Sequence, residues 1–302
     1  MKNINWYPGH MKKTREMIAE NLKLVDVVIE VVDARIPISS RNPIVDDIIS
    51  GKPSITVFNK SDLADEMATE DWINFTGRSD SLKINSMSGQ GIKELFRMLE
   101  KFQAEKNRQK QNTKPVRIMI VGVPNVGKSS LINRMTGKKS TRTGDRPGVT
   151  RGKQWLTLSN GMQLLDTPGV LWPKFEDPHT GLNLAFCGSI KDEILDIADI
   201  GLELIKKLNE DYHKLLSDRY GLEAYFEEGS KSSQEEDDMY EGYYDQFSDD
   251  NLLLMEEIAR KRGCILSGKR IDYDRCARMV LDDFRSGRIG KITLEKAGDS
   301  VD

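Results

Sequence analysis

An apolar run, Val116, Ile118, Met119, Ile120 and Val121, leads into Gly122-Val123-Pro124-Asn125-Val126-Gly127-Lys128-Ser129, and the chain continues as Ser130-Leu131-Ile132-Asn133-Arg134-Met135. The spacing predicts a buried strand, a glycine-rich loop and a helix with Leu131, Ile132 and Met135 on one face. In that context G-x-x-x-x-G-K-S is a phosphate cradle. Its glycines let backbone amides turn toward phosphate oxygens, Lys128 supplies a point charge, and Ser129 can ligate Mg2+ at the helix start. A Gly-rich turn that holds nothing is the bland alternative. The strand and helix on either side disfavour it.

The segment preceding this loop carries a second signal. Val27 to Val32 read as a buried strand that ends in Asp33-Ala34-Arg35 and is broken by Pro37. Ile55 to Phe58 read as another strand, delivering Asn59, Lys60 and Asp62 at its C-terminal end, where open α/β sheets bind ligands. In N-K-x-D, a carboxylate such as Asp62 can accept the paired N1–H and N2–H donors of guanine. Adenine, with an acceptor at N1, is rejected. Asn59 can tie the loop and reach the base, and the Lys60 stem can cover the ring. A short strand then leads to Ser86-Met87-Ser88 and a helix from about Ile92 bearing Leu95, Phe96, Leu99 and Phe102. The polar run from Ala104 to Pro115 reads as a flexible connector.

After the cradle helix comes a Gly/Thr/Arg-rich stretch holding Thr150. Two strands flanking Asn160-Gly161 form an expected hairpin, which ends at Asp166-Thr167-Pro168-Gly169. Asp166 can hold the Mg2+ shell through water, Thr150 can join Ser129 on the ion, and the Gly169 amide can sense a γ-phosphate.

Taken together, NKSD and SMS precede GVPNVGKS, which is followed by PGVT and DTPG, so the five motifs of a G protein run four, five, one, two, three. With the opening WYPGHM and the VVDARIP strand, the chain resembles the ribosome biogenesis GTPase A family, circularly permuted GTPases of bacterial large-subunit assembly. The resemblance implies an α/β P-loop G domain in permuted order with a C-terminal all-helical domain. It implies a GTPase that binds GTP/GDP with Mg2+, and nucleotide contacts from Asn59, Lys60, Asp62, Ser86 and Met87. Further contacts are expected from Asn125, Val126, Gly127, Lys128, Ser129 and Ser130, with Thr150 and Gly169. Met87 replaces the alanine usual in the fifth motif and leaves backbone contacts open. Many small GTPases place a water-orienting Gln after D-T-P-G, whereas this chain has Val170. Slow intrinsic hydrolysis is therefore expected. The resemblance offers His10, brought in by the ribosome, and a K+ ion held partly by Asn125, beside Lys128 and Thr150 as catalytic groups. Read on its own, His10 is an ordinary histidine, and Asn125 is equally a structural loop residue.

Charge and composition bound the partners. The chain of 302 residues carries a net charge of −3, yet Glu223 to Asn251 holds eleven acidic residues against Lys231 alone. That stretch is −10 and the remainder +7, so a basic body coexists with an acidic, flexible insertion. The last segment predicts two helices, with Leu253, Met255, Ile258 and Ala259 inward on the first. Ile194 is placed on an inward stripe upstream. Arg260, Lys261, Arg262, Lys269, Arg270, Arg275, Arg278, Arg285 and Arg288 form a basic surface suited to RNA phosphates. The expected division is a G domain over 1–180 and a helical RNA-binding domain over 181–302. The expected partners are the large ribosomal subunit and its rRNA, with the chain monomeric and cytoplasmic. No apolar run approaches the roughly 18 residues of a membrane span, the N-terminus lacks a signal-peptide core, and Cys187, Cys264 and Cys276 suit reduced thiols. A GTP-dependent switch acting on a non-ribosomal protein is the other function class.

Overall fold

A computed structural model of the chain describes residues 16, 18–41, 49, 51–76, 80–110, 114–137, 155–165, 177–226 and 250–298. Among these, the strands are β1 (Val27–Asp33), β2 (Ser54–Asn59), β3 (Ser81–Ile84), β4 (Arg117–Val121), β5 (Trp155–Thr157) and β6 (Gln163–Leu165). The helices are α1 (Glu66–Phe75), α2 (Ile92–Lys110), α3 (Lys128–Thr136), α4 (Pro178–Phe186), α5 (Ile197–Asp211), α6 (His213–Tyr220), α7 (Asp250–Lys261) and α8 (Tyr273–Arg285). Two compact units result: residues 1–184 with 295–302, and residues 185–294.

The first unit is built on one sheet of order β3-β2-β1-β4-β6-β5. β1 to β4 and β6 pair in parallel, and β5 joins antiparallel to β6 through the Asn160-Gly161 turn. Every residue of β1 is buried, as a strand covered on both faces requires. On one face Val28, Met119, Val121 and Leu165 pack with Ile18, Leu22, Val25 and Ile49. Because the strands run parallel, the loops after β1, β2, β3 and β4 all leave at the same edge. That edge collects Asp33-Ala34-Arg35, NKSD, NSMS and the phosphate cradle, although they are separated in sequence by nearly one hundred residues.

The stretch expected to be a flexible connector is helical as far as Lys110. Its Glu, Lys, Gln, Arg and Ala residues are good helix formers, and two of its side chains fasten it to the sheet. Gln103 accepts the Val116 amide at 2.7 Å, and Lys106 reaches Asp26 at 2.6 Å and the Pro115 carbonyl at 3.1 Å. The C-terminal residues from Glu295 onward group with the first unit, whereas the sequence-based boundary assigned all of 181–302 to the helical part. Polar bonds hold them there: the Trp72 indole donates to the Glu295 carbonyl at 2.8 Å, and Ala297 packs beside Val32, Phe58 and Trp72.

The second unit is helical, and α5 and α8 form its centre. A Cβ on Gly201 would lie 2.4 Å from Ala277 Cβ, so these helices approach at a position that admits only glycine. Asp196 and Asp272 cap them, accepting the amides of Asp199 and Arg275. Met255, Ile258 and Ala259 are buried on α7 as expected, but Leu254 takes the inward place and Leu253 is exposed. Ile194 is likewise exposed, in a 3-10 turn before α5. Arg285 is no part of an open basic surface. Its guanidinium grips Asp192 with two bonds of 2.8 Å and donates to the carbonyls of Ala185 and Phe186. The three cysteines are buried and form no disulfide, and burial pushes the Cys276 thiol up to about 12, which leaves it unreactive near neutral pH.

Gly201→Ala should destabilise the protein by about 1–3 kcal/mol in urea denaturation, the overpacking range. Helix propensity alone would stabilise it by about 1 kcal/mol, so a gain in stability would contradict the close approach.

Candidate nucleotide site

The cradle forms because its glycines sit where a side chain cannot. A Cβ on Gly122 would lie 2.4 Å from the Val31 carbonyl of the neighbouring strand. One on Gly127 (φ 97°) would lie 2.2 Å from Asn59 Nδ2. Gly127 also caps α3, so the amides at the helix start point into the loop's concavity, a geometry that attracts anions. Lys128 is buried and donates from Nζ to the Val123 carbonyl at 2.6 Å, spanning the loop it serves. Ser129 and Ser130 follow it in the first turn, both half-buried.

Asn59 holds three motifs together. Its Nδ2 donates to the Val126 carbonyl of the cradle at 2.6 Å, and its Oδ1 accepts the Ser86 amide at 3.0 Å. The Met87 and Ser88 amides donate to Asn85 Oδ1 at 2.8 and 2.9 Å, and Arg134 of α3 donates to the Ser86 and Met87 carbonyls. The amides of Ser86 and Met87, expected to be open for the base, are thus already donating within the protein. Met87 extends its side chain into solvent, 74% exposed. Asp62 is exposed at the same edge.

Lys60 takes a left-handed backbone (φ 59°), as does Asn125 (φ 61°). Such conformations cost a non-glycine residue about 1–2 kcal/mol and collect where function over-determines the backbone. The Lys60 ammonium lies 2.9 Å from Asp33, whose carboxylate also takes two bonds from Arg35, at 2.9 and 2.8 Å. Burial alone would raise the Asp33 pKa, but the charges and hydrogen bonds of Arg35 and Lys60 outweigh it and hold the carboxyl far below its ordinary range. Ser40 Oγ accepts the Asp33 amide at 2.9 Å, and the Ala34 amide donates to the Asn59 carbonyl at 2.9 Å.

The structure therefore brings together Asn59, Lys60, Asp62, Ser86, Met87, Asn125, Val126, Gly127, Lys128, Ser129 and Ser130. His10, Thr150, Asp166 and Gly169 lie outside the described residues, as does Val170. Sequence reasoning missed Asn85, Arg134 and the Asp33 brace. Asp33-Ala34-Arg35 was visible as the end of a strand, but nothing in its spacing reveals a pairing with Lys60. No group of three or more His, Cys, Asp or Glu suited to a metal ion occurs among the described residues. A P-loop Mg2+ site draws instead on a hydroxyl and phosphate oxygens, which the placement of Ser129 fits.

The sequence profile of the 50S ribosome-binding GTPase family matches residues 117–225. The chain is 42% identical to ribosome biogenesis GTPase A of Bacillus cereus, covering 97% of this chain and 93% of that one. It is 34% identical to mitochondrial ribosome-associated GTPase 1 of Mus musculus, covering 96% and 90%. Among solved structures, GNP-bound YlqF from T. maritima is 26% identical with a TM-score of 0.61, covering 95% of this chain and all of that one. A GDP-bound YlqF structure is 27% identical with the same TM-score.

Asn59→Ala should cost about 1–3 kcal/mol for each of the two buried groups it orphans, read by chemical denaturation. Asp33 has a depressed folded pKa, so its contribution is complete above the ordinary carboxylate value of about 4 and is lost as pH falls through the folded value. Asp33→Asn should therefore weaken the neutral-pH fold by about 3–5 kcal/mol and flatten the acid limb of stability against pH. An unchanged acid limb would contradict the brace.

Proposed function

From the premise that this chain belongs to the ribosome biogenesis GTPase A family, circularly permuted GTPases with a role in ribosome assembly, we propose that it matures the large subunit. It binds GTP with Mg2+, docks on rRNA, and is released when the subunit stimulates hydrolysis. The observation that carries the nucleotide part is the Asn59 bridge, which joins the base-reading loop, its supporting loop and the phosphate cradle at one sheet edge.

In this reading Asp62 accepts the two guanine donors, and the Lys60 stem covers the ring while its ammonium stays anchored on Asp33. Lys128 exchanges the Val123 carbonyl for phosphate oxygens and stabilises the charge that develops in the transition state. Ser129, Thr150 and Asp166 would hold Mg2+, and the amides from Asn125 to Ser130 and of Gly169 would hold phosphate. Asn125 is exposed and left-handed at the mouth of the cradle, and in this reading it would share a K+ ion. Bound Mg2+ neutralises β- and γ-phosphate charge. His10 orients the attacking water, a task for which Val170 has no polar atom.

The docking surface is the basic end of the helical unit. Arg260, Lys261 and Arg262 are exposed, as are Lys269 and Arg270 in the turn before α8. Arg262 rests over the Tyr220 ring at 5.3 Å, and Arg288 is tied to Asp283 at 2.5 Å. The monomer is the acting species. No helix among the described residues is long and apolar enough to cross a membrane.

GTP turnover in potassium buffer should rise strongly with purified large subunits. Lys128→Ala should fall by about 10²-fold or more, and His10→Ala should lose the stimulation while keeping nucleotide affinity. Absence of stimulation in the wild type would overturn the ribosome-triggered mechanism.

A further inference from the structure

The chain passes out of the first unit after Leu184 and returns to it at Glu295. Two residues of the first unit that border these crossings, Asn183 and Glu295, are bonded to each other: Asn183 Nδ2 donates to Glu295 Oε1 at 2.9 Å. The Glu295 carboxylate is buried and also accepts the Ile38 amide at 2.5 Å, the Ser39 amide at 3.0 and 3.1 Å, and the Ser39 hydroxyl. Burial outweighs the downward pull of Ser39, Ile38 and Asn183 and holds the Glu295 carboxyl above its ordinary value. A buried carboxyl met by this many hydrogen-bond donors is held in one place.

The segment it holds leads to the base-reading loop. Ser40, next to Ser39, accepts the Asp33 amide and donates to the Ile36 carbonyl at 2.6 Å. Asp33 in turn pairs with Lys60, and Ala34 is bonded to the Asn59 backbone. Polar contacts thus run from the chain crossings through Ser39, Ser40 and Asp33 to N-K-x-D, and none of the nucleotide motifs includes Glu295.

We propose that Glu295 is a positioning residue for guanine recognition, clamping the two chain crossings to the 38–40 loop and so fixing the Asp33 brace that aims Lys60 and Asp62. The proposal rests on the guanine site described above. It predicts that the clamp matters most for the base, because the cradle is held separately by Asn59 and its own glycines.

The test measures GDP and IDP affinities by displacement of a fluorescent guanine nucleotide from the full chain, with thermal unfolding alongside. IDP lacks the exocyclic amine, so the GDP-to-IDP ratio reports how well the carboxylate meets that amine. Glu295→Gln places a donor where only acceptors fit, and should weaken GDP about tenfold while the GDP-to-IDP ratio falls several-fold. Asn183→Asp combined with Glu295→Gln restores a donor–acceptor match and should recover both. Ser39→Ala, which removes one hydroxyl, should shift the ratio in the same direction by a smaller factor and serves if Glu295→Gln fails to fold. A lowered melting temperature with an unchanged ratio in these variants would overturn the positioning role and leave Glu295 purely structural. No preference for GDP over IDP in the wild type would instead remove the guanine reading beneath it.

Discussion

One side chain amide sets the geometry on which the nucleotide site depends. Asn59 is buried, and its side chain amide donates to the cradle while its oxygen accepts from the Ser86 loop. Gly127 follows from this contact, since a Cβ there would occupy the space of the Asn59 amide. Arg134 closes the arrangement from α3, which the cradle itself initiates. The permutation leaves this geometry intact because parallel strands deliver all four loops to one edge whatever their order in the chain. What permutation changes is the wiring. The segment after β6 runs on to α4 and the second unit, so the element expected to sense the γ-phosphate leads by chain continuity to the helices.

The basic residues of the helical unit are not equivalent. Arg285 and Arg219 serve internal carboxylates. Asp192 is held low by hydrogen bonding to Arg285; for Asp283, the bonds from Arg219 and Arg288 outweigh the upward pull of burial. Lys269 and Arg270 are exposed, whereas Arg260 pairs with Glu256 at 2.6 Å and Arg262 lies over the Tyr220 ring. A charge count alone treats all of these as equivalent, and the positions of Asp192, Asp283 and Glu256 separate them.

The sheet and its edge were legible because parallel strands buried on both faces write themselves as continuous apolar runs, and the G-protein motifs mark where each strand ends. The family comparison bears out the permuted α/β reading. Less was legible where side chains decide. The α2 extension to Lys110 reads as a connector because its polar composition hides the Gln103 and Lys106 anchors. On α7 the pattern does not separate Leu253 from Leu254, since four consecutive apolar residues offer either one to the face that Met255, Ile258 and Ala259 mark. The Asp33–Lys60 pair and the Glu295 clamp join residues 27 and 257 positions apart, with no local pattern to announce either.

The most direct measurement of the central claim, a guanine nucleotide site assembled around Asn59 and read by Asp62, is competition among GTP, ATP and XTP for wild type and Asp62→Asn. Wild type should prefer GTP over both competitors. In the variant the carboxamide still accepts N1–H but donates where guanine also donates, so preference should pass to XTP, whose O2 accepts that proton. Retention of the GTP preference by Asp62→Asn would contradict the account and place base recognition elsewhere.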